Sequence, residues 1–451
     1  MERFEIVMIF PIITILLVAL FFLYYIKVTR PRAGTAEWIS RVVDKPRFEF
    51  KRYPLERKDI LPLAIITAVF LALALYRLTP FFLGSGWLIP LQSVYWLSWY
   101  THHGPLRDAS IVLFHNGALL GSIFGVAILP VFYCFLKNLF GKASVAICGT
   151  LLLGFDFTRF YSAYSLPVFF TLLSYYFMYR HITTSEDASF KTKLFPFMMS
   201  GLFFGLAVTS GWEALFAGVG LVAIYLIYLI ILGRRWEQSV RDSTFGRYLV
   251  KTLLFAALSF IIIPAIIYVL SYSIVYSMAL GRISIFDLYS HFWGIQGVIC
   301  SFYMRVEYMQ DWGMWSWVGG EMFGNPFVLA GGLLAIITMV TRSIKFNDFK
   351  SLFILLGFLS IMLVWILHSR RLFMYHYFTS AIFLVLALTC VIDTMLERKQ
   401  KYFKQFSYGF VIATGVLFAM FYPVMAGLRV PEWYLRHFIR WFPNCIPWWP
   451  L

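Results

Sequence analysis

Stretches of about 20 apolar residues, each long enough to cross a bilayer as a helix, recur along the whole chain and are separated by short polar segments. Twelve such runs are expected, at 8–27, 61–78, 111–136, 143–157, 161–179, 195–210, 212–233, 250–277, 326–342, 351–368, 372–393 and 405–427. The run at 143–157 is short, as a tilted or partly re-entrant helix would be. The pattern predicts an all-α fold, a polytopic membrane helix bundle of about 12 transmembrane helices with short outer-face loops. It divides the chain into an N-terminal transmembrane anchor with a basic loop (1–59), a transmembrane core with longer loops at 79–110 and 278–325 (60–427), and an aromatic tail (428–451). No small-residue cleavage site follows the first run, so it reads as a retained anchor.

Composition narrows the class. Of 451 residues, 61% are hydrophobic, 20% aromatic and 13% charged, with a mean hydropathy of +0.76. A soluble multidomain enzyme would carry about a quarter charged residues, so that class is excluded. The five cysteines contain no Cys-x-x-Cys pair and suggest neither a zinc ribbon nor a disulfide framework.

A net charge of +16 raises the question of nucleic acid. Placement answers it, because with these spans every lysine, from Lys27 and Lys58 through Lys137, Lys191 and Lys251 to Lys404, falls on loops of one side. Lys-rich loops are cytoplasmic by the positive-inside rule, so the charge is topology and no nucleic-acid partner is expected. The other, outer face receives residues 79–110, the Asp156–Arg159 turn, residues 278–325, the His368–Arg371 turn and the tail. None of these reaches the size of a folded domain, which leaves chemistry to loops held by the bundle at the membrane surface.

The first outer loop ends Thr101-His102-His103-Gly104-Pro105-Leu106-Arg107-Asp108. Two imidazoles, a guanidinium and a carboxylate in one short stretch suit acid/base work or a phosphate. An interfacial turn meeting lipid headgroups would read the same. No further His or Cys stands at helical spacing from His102 or His103, so no metal is expected. In the second long loop Asp311 and Glu321 are interleaved with Trp312, Trp315 and Trp317, a combination that suits sugar rings and equally an aromatic belt on the bilayer. Arg370 and Arg371 stand between two spans at the outer headgroup level. There they would clamp the phosphate of a lipid-linked donor or simply snorkel to bulk lipid. His115 and Glu213 lie near span ends.

Several segments, in order, resemble the protein O-mannosyltransferase family, GT-C class membrane glycosyltransferases that use polyprenyl- or dolichyl-phosphate mannose. Arg370-Arg371-Leu372-Phe373-Met374-Tyr375-His376-Tyr377 resembles its Arg-x-x-Phe-x-Tyr-His-Tyr signature, and Gly324-Asn325-Pro326 its Gly-Asn-Pro. Phe155-Asp156 followed by Arg159 is similar to its Phe-Asp and Ser-Arg stretch. Gly205-Leu206-Ala207 with Gly211-Trp212 is similar to its Gly-Leu-x-x-x-x-Lys-Trp turn, and His103-Gly104-Pro105-Leu106 to its His-Pro-Pro-Leu. The resemblance covers about 60–427 and implies a GT-C fold.

The departures are informative. The family carries an Asp-Glu pair early in the first outer loop, its catalytic base, where this chain has Pro80-Phe81-Phe82-Leu83-Gly84-Ser85-Gly86-Trp87. Tyr164 stands in place of an Asp and Gly211 in place of the Lys before Trp. If the chain is an enzyme, the resemblance implies inverting transfer of mannose or another sugar from an isoprenoid phosphate to an acceptor hydroxyl on the outer face. Asp108 would be the base, Arg370, Arg371 and Arg107 the phosphate ligands, and His102, His103, Tyr375, His376, Asp311 and Glu321 substrate contacts. The expected partners are membrane lipid, the isoprenoid phosphate and a protein acceptor, with no cofactor beyond the lipid-linked donor. The alternative is a GT-C scaffold without its base, working as a subunit of a larger membrane assembly.

Overall fold

The structure is a computed structural model that describes residues 50–76, 117–156, 165–184, 188–239, 244–280, 325–367, 374–398 and 400–425, with a few positions from 428 to 437. The helices are α1 (Arg57–Leu75), α2 (Gly117–Phe140), α3 (Ala143–Gly154), α4 (Ser165–Ile182), α5 (Phe190–Ser210) and α6 (Ala214–Ser239). They continue with α7 (Thr244–Ala257), α8 (Ile263–Leu280), α9 (Pro326–Phe346), α10 (Phe349–Leu367), α11 (Met374–Glu397) and α12 (Phe403–Met425). A π-helical turn at Leu258–Ile262 joins α7 and α8 into one rod. Eleven of the twelve expected apolar runs coincide with these rods. The run at 8–27 lies outside the described residues. Among the described residues, eight helices are long and apolar enough to cross a membrane, and α3 is a shorter apolar helix.

Packing order follows from how apolar each rod is on all sides. α11 is the inner helix: every residue from Phe378 to Asp393 is buried, and it packs against neighbours on several sides, namely α9, α10, α3 and α12. By contrast α1 and the α7–α8 rod show most of their apolar surface outward, with Ile60, Leu61, Ile65, Leu254 and Ile266 exposed. That is the arrangement lipid permits, since acyl chains are as apolar as Leu. Close helix contact requires small residues, and Gly201 of α5 meets the π turn so tightly that a Cβ there would overlap the Ser259 carbonyl.

Interhelical contacts fix the direction and depth of the rods. Gly332 lies against Leu384, and Arg342 Nη1 donates to Thr394 Oγ1 at 2.6 Å across the same separation of 52 residues. Hence α9 and α11 run parallel and in constant register. α3 runs opposite to α11, because Lys142 at its start pairs with Asp393 and Glu397 near the end of α11, at 2.9 and 2.8 Å. Further pairs close this lysine end of the bundle. Lys137 reaches Glu56 and the buried Asp59 at 3.1 and 3.2 Å, Tyr133 donates to Asp59 at 3.0 Å, and Arg342 holds Asp348 at 2.8 Å.

An extended strap, residues 50–56, lies across the same end. The Phe50 ring sits edge-on to Tyr228 and Phe349 at 5.4 and 4.8 Å. The Lys51 carbonyl accepts the Tyr179 hydroxyl, and the Tyr53 N–H donates to the Asn138 carbonyl at 3.0 Å. Glu56 and Asp59 then form a capping box that starts α1.

At the opposite end α8 rises past its neighbours. Tyr268 is level with Trp212 in the α5–α6 turn, their rings edge to face at 5.6 Å, and α8 continues to Leu280. At 1.5 Å per residue it stands about 18 Å beyond that turn.

Candidate functional site

Two of the segments that carry the resemblance meet at the end away from the lysines. Asp156, just past the last turn of α3, accepts the backbone N–H of Asn325 through Oδ1 at 2.9 Å, and both residues are fully buried. Asn325 is the N-cap of α9. Its Oδ1 accepts from the Phe327 N–H at 3.2 Å, while Nδ2 donates to the carbonyls of Phe155 and Thr414 at 3.2 and 3.1 Å. Pro326 takes the first helical position, where an N–H would have had no intrahelical acceptor. One asparagine thereby ties together α3, α9 and α12. The Phe155 ring adds apolar contact to the same knot, at 5.8 Å from Phe70 of α1 and 5.5 Å from Phe418 of α12.

The third segment stands at the same depth. With a constant offset of 52 residues between α9 and α11, Asn325 is level with Tyr377, so the knot lies beside the first turn of α11. That turn contains Tyr375 and His376 as helical backbone. A fourth segment, Gly205 to Trp212, closes α5. Gly205 packs on Pro264 of α8, and the Thr209 and Ser210 hydroxyls return to the Leu206 carbonyl at 2.9 and 2.7 Å. Trp212 meets Tyr268, whose hydroxyl is 2.9 Å from that of Tyr272. Glu213 is half-buried in the α5–α6 turn.

Of the candidates drawn from the sequence, Tyr375 and His376 are thus placed by their backbone. Asp108, Arg107, His102, His103, Asp311, Glu321, Arg370, Arg371 and His115 lie outside the described residues. Among the described residues no three His, Cys, Asp or Glu side chains gather as they would around a metal ion. Asp156, the described residue of the Asp156–Arg159 turn, is a buried acceptor that fixes where α9 begins. Its partner could have been anticipated, since Asn followed by Pro at the head of an apolar run is a helix-start signature.

Residues 77–280 match the family model described as dolichyl-phosphate-mannose-protein mannosyltransferase. Comparison of the sequence with curated proteins gives no match. Among solved structures, the apo form of the Archaeoglobus fulgidus oligosaccharyltransferase is similar at TM-score 0.50 and 14% identity, over 82% of this chain and 56% of that one. The Archaeoglobus fulgidus enzyme tethered through a disulfide to an acceptor peptide containing the NVT sequon is similar at TM-score 0.50 and 12% identity, over 83% and 55%. The chain therefore spans little more than half the length of these solved structures. At such identities the likeness is one of fold. The chain is a helix bundle of the GT-C type that resembles the protein O-mannosyltransferases.

Proposed function

We propose that the protein is a membrane glycosyltransferase that moves mannose or another sugar from a polyprenyl-phosphate donor to an acceptor hydroxyl at the end of the bundle opposite the lysines, which faces away from the cytoplasm. The observation that carries this reading is the match of residues 77–280 to the dolichyl-phosphate-mannose-protein mannosyltransferase model. The meeting of Phe155-Asp156 with Asn325-Pro326 beside the first turn of α11 supports it, because two segments that carry the resemblance, far apart in sequence, converge at one end of the bundle. A solved structure of similar fold tethered to an acceptor peptide supports a protein acceptor.

In this reading Asp108 takes the proton of the acceptor hydroxyl as its oxygen bonds to the anomeric carbon. The bond from that carbon to the phosphate oxygen breaks, and the electron pair leaves with the lipid phosphate. Arg370, Arg371 and Arg107 take up the charge through paired N–H···O bonds. Attack opposite the leaving group inverts the anomeric configuration. His102, His103, Tyr375, His376, Asp311 and Glu321 contact donor or acceptor.

One observation favours a second reading. The stretch Pro80 to Trp87 contains no acid, and a GT-C bundle without its base would serve as a scaffold subunit. The test is transfer by the purified protein in proteoliposomes, with radiolabelled sugars on polyprenyl phosphate and peptide acceptors. Label appearing on the acceptor sustains the enzyme. A full donor panel without transfer, together with a stoichiometric membrane subunit that copurifies, replaces it with the scaffold.

A further inference from the structure

Buried side-chain polar atoms nearly always have a hydrogen-bond partner, and those that lack one call for an account. Among the described residues, four buried atoms without a partner lie around one set of rings: His181 Nε2, the Tyr225 hydroxyl, Thr252 Oγ1 and Ser259 Oγ. The His181 ring is 4.6 Å from Phe197, 5.9 Å from Tyr225 and 5.8 Å from Tyr228. Phe197 is in turn 4.8 Å from Tyr225 and 5.2 Å from Phe260, the residue after Ser259. Side chains of α4, α5, α6 and the π turn thus surround one place, with Phe50 of the strap edge-on to Tyr228. Thr252 stands near the Tyr225 hydroxyl but outside hydrogen-bond geometry. The state of His181 follows from its other nitrogen. Nδ1 is 2.8 Å from the Lys193 carbonyl, which can only accept, so Nδ1 carries the proton and Nε2 presents a bare lone pair. Pro196, in the same turn of α5, loosens the helix there and frees that carbonyl for a second donor.

We propose that His181 and Tyr225 hold one ordered water molecule, which donates to Nε2, accepts from the Tyr225 hydroxyl and joins α4 to α6 beside the proline turn of α5. The two rings are neighbours, yet their polar atoms do not bond each other. A water with a hydrogen bond of about 2.8 Å on each side spans a separation of that kind. Buried waters settle where about two to four polar groups converge. Nε2 and the Tyr225 hydroxyl supply the first two, and the Thr252 hydroxyl is at hand for the remaining O–H. An apolar guest among these rings would leave the same atoms unsatisfied. A metal ion does not suit the place, since among the described residues no three His, Cys, Asp or Glu side chains gather. His181 is in the last turn of α4, at the lysine end, so the site is independent of the transfer reaction.

Electron cryomicroscopy of the full-length parent in nanodiscs, at a resolution that shows ordered water, provides the test and requires no variant to fold. A density peak should stand within about 3 Å of both Nε2 and the Tyr225 hydroxyl. No peak there, in a map that shows buried waters elsewhere at the same local resolution, would overturn the site, as would a Tyr225 hydroxyl bonded directly to Nε2. Thermal unfolding in detergent gives a second reading through a double-mutant cycle. Tyr225→Phe removes the hydroxyl and keeps the ring, while His181→Asn keeps an N–H near the place of Nδ1 for the Lys193 carbonyl and removes Nε2. Each should lower the midpoint, on the order of 2 °C. Because either change already breaks the bridge, the double variant should lose little more than the worse single one. Losses that simply add would show that the two groups share no water.

Discussion

The Asp156 carboxylate and the Asn325 backbone N–H are 169 residues apart in sequence and 2.9 Å apart in space, enclosed between α3, α9 and α12. This bond fixes the point at which the second long loop ends and α9 begins. Asp156→Ala should leave that buried N–H without its acceptor and cost about 1–3 kcal/mol. Asp156→Asn, whose amide oxygen still accepts, should cost less. Thermal unfolding in detergent separates the two, and equal losses would show that charge rather than the hydrogen bond matters here.

Close approach at the π turn gives a second expectation. Replacing Gly201 by Leu forces the side chain against the Ser259 carbonyl, where backbone has to move, and overpacking of this kind costs about 1–3 kcal/mol. Gly246, with open space around it, should accept Ala without loss of unfolding temperature.

Acid should act through Asp348. Burial alone would raise its pKa, but Arg342, the Ser351 hydroxyl and Lys350 outweigh burial and hold it below the ordinary carboxylate value. A carboxyl with a depressed folded pKa contributes stability that is complete above its unfolded value, about 3.9, and is lost as pH falls through the folded one. Asp348→Asn should therefore lower the unfolding temperature at neutral pH and flatten its decline below about pH 4. A parent and variant with parallel acid limbs would remove Asp348 from the account.

The rods were legible in the sequence because lipid imposes a length of about 20 apolar residues on each one, a constraint that acts residue by residue without reference to partners. The relations among rods were not. Lys142 and Asp393 are 251 residues apart, and nothing local in either segment announces the other. α1 begins at Arg57, ahead of its apolar run, because Glu56 and Asp59 cap it through a box that a polar stretch conceals. The segments Phe155-Asp156 and Gly324-Asn325-Pro326 could be recognised in order, yet the meeting of Asp156 with Asn325 depends on α3 ending where α9 starts, which is a property of packing.

The arginine pair ahead of α11 yields a ligand-binding expectation. Arg370→Gln with Arg371→Gln keeps the side-chain length and removes the charge, so binding of a polyprenyl phosphate should weaken by roughly 1.5–3 kcal/mol for each lost charge-assisted bond. Arg440→Gln in the tail should matter far less. Equal affinity of clamp variant and parent for the lipid phosphate would reduce the pair to headgroup anchors.

The base separates enzyme from scaffold. Asp108 is the sole acid of the first long loop, residues 79–110, and it lies well beyond the position at which the resembled family carries its acidic pair. To act as the base it must return to the anomeric carbon, and the ordered end of the bundle supplies the frame for that return: α2 begins shortly after it, at Gly117, and packs against α3 and α4. Asp108→Asn should leave folding and polyprenyl-phosphate binding close to those of the parent while slowing sugar transfer by about 100-fold or more, the scale expected for loss of a general base. The loss should fall on kcat, because the acceptor hydroxyl still binds but has nowhere to send its proton. Undiminished transfer by Asp108→Asn would pass the role to Asp311 or Glu321, whose Asn and Gln variants would then show the kcat loss instead.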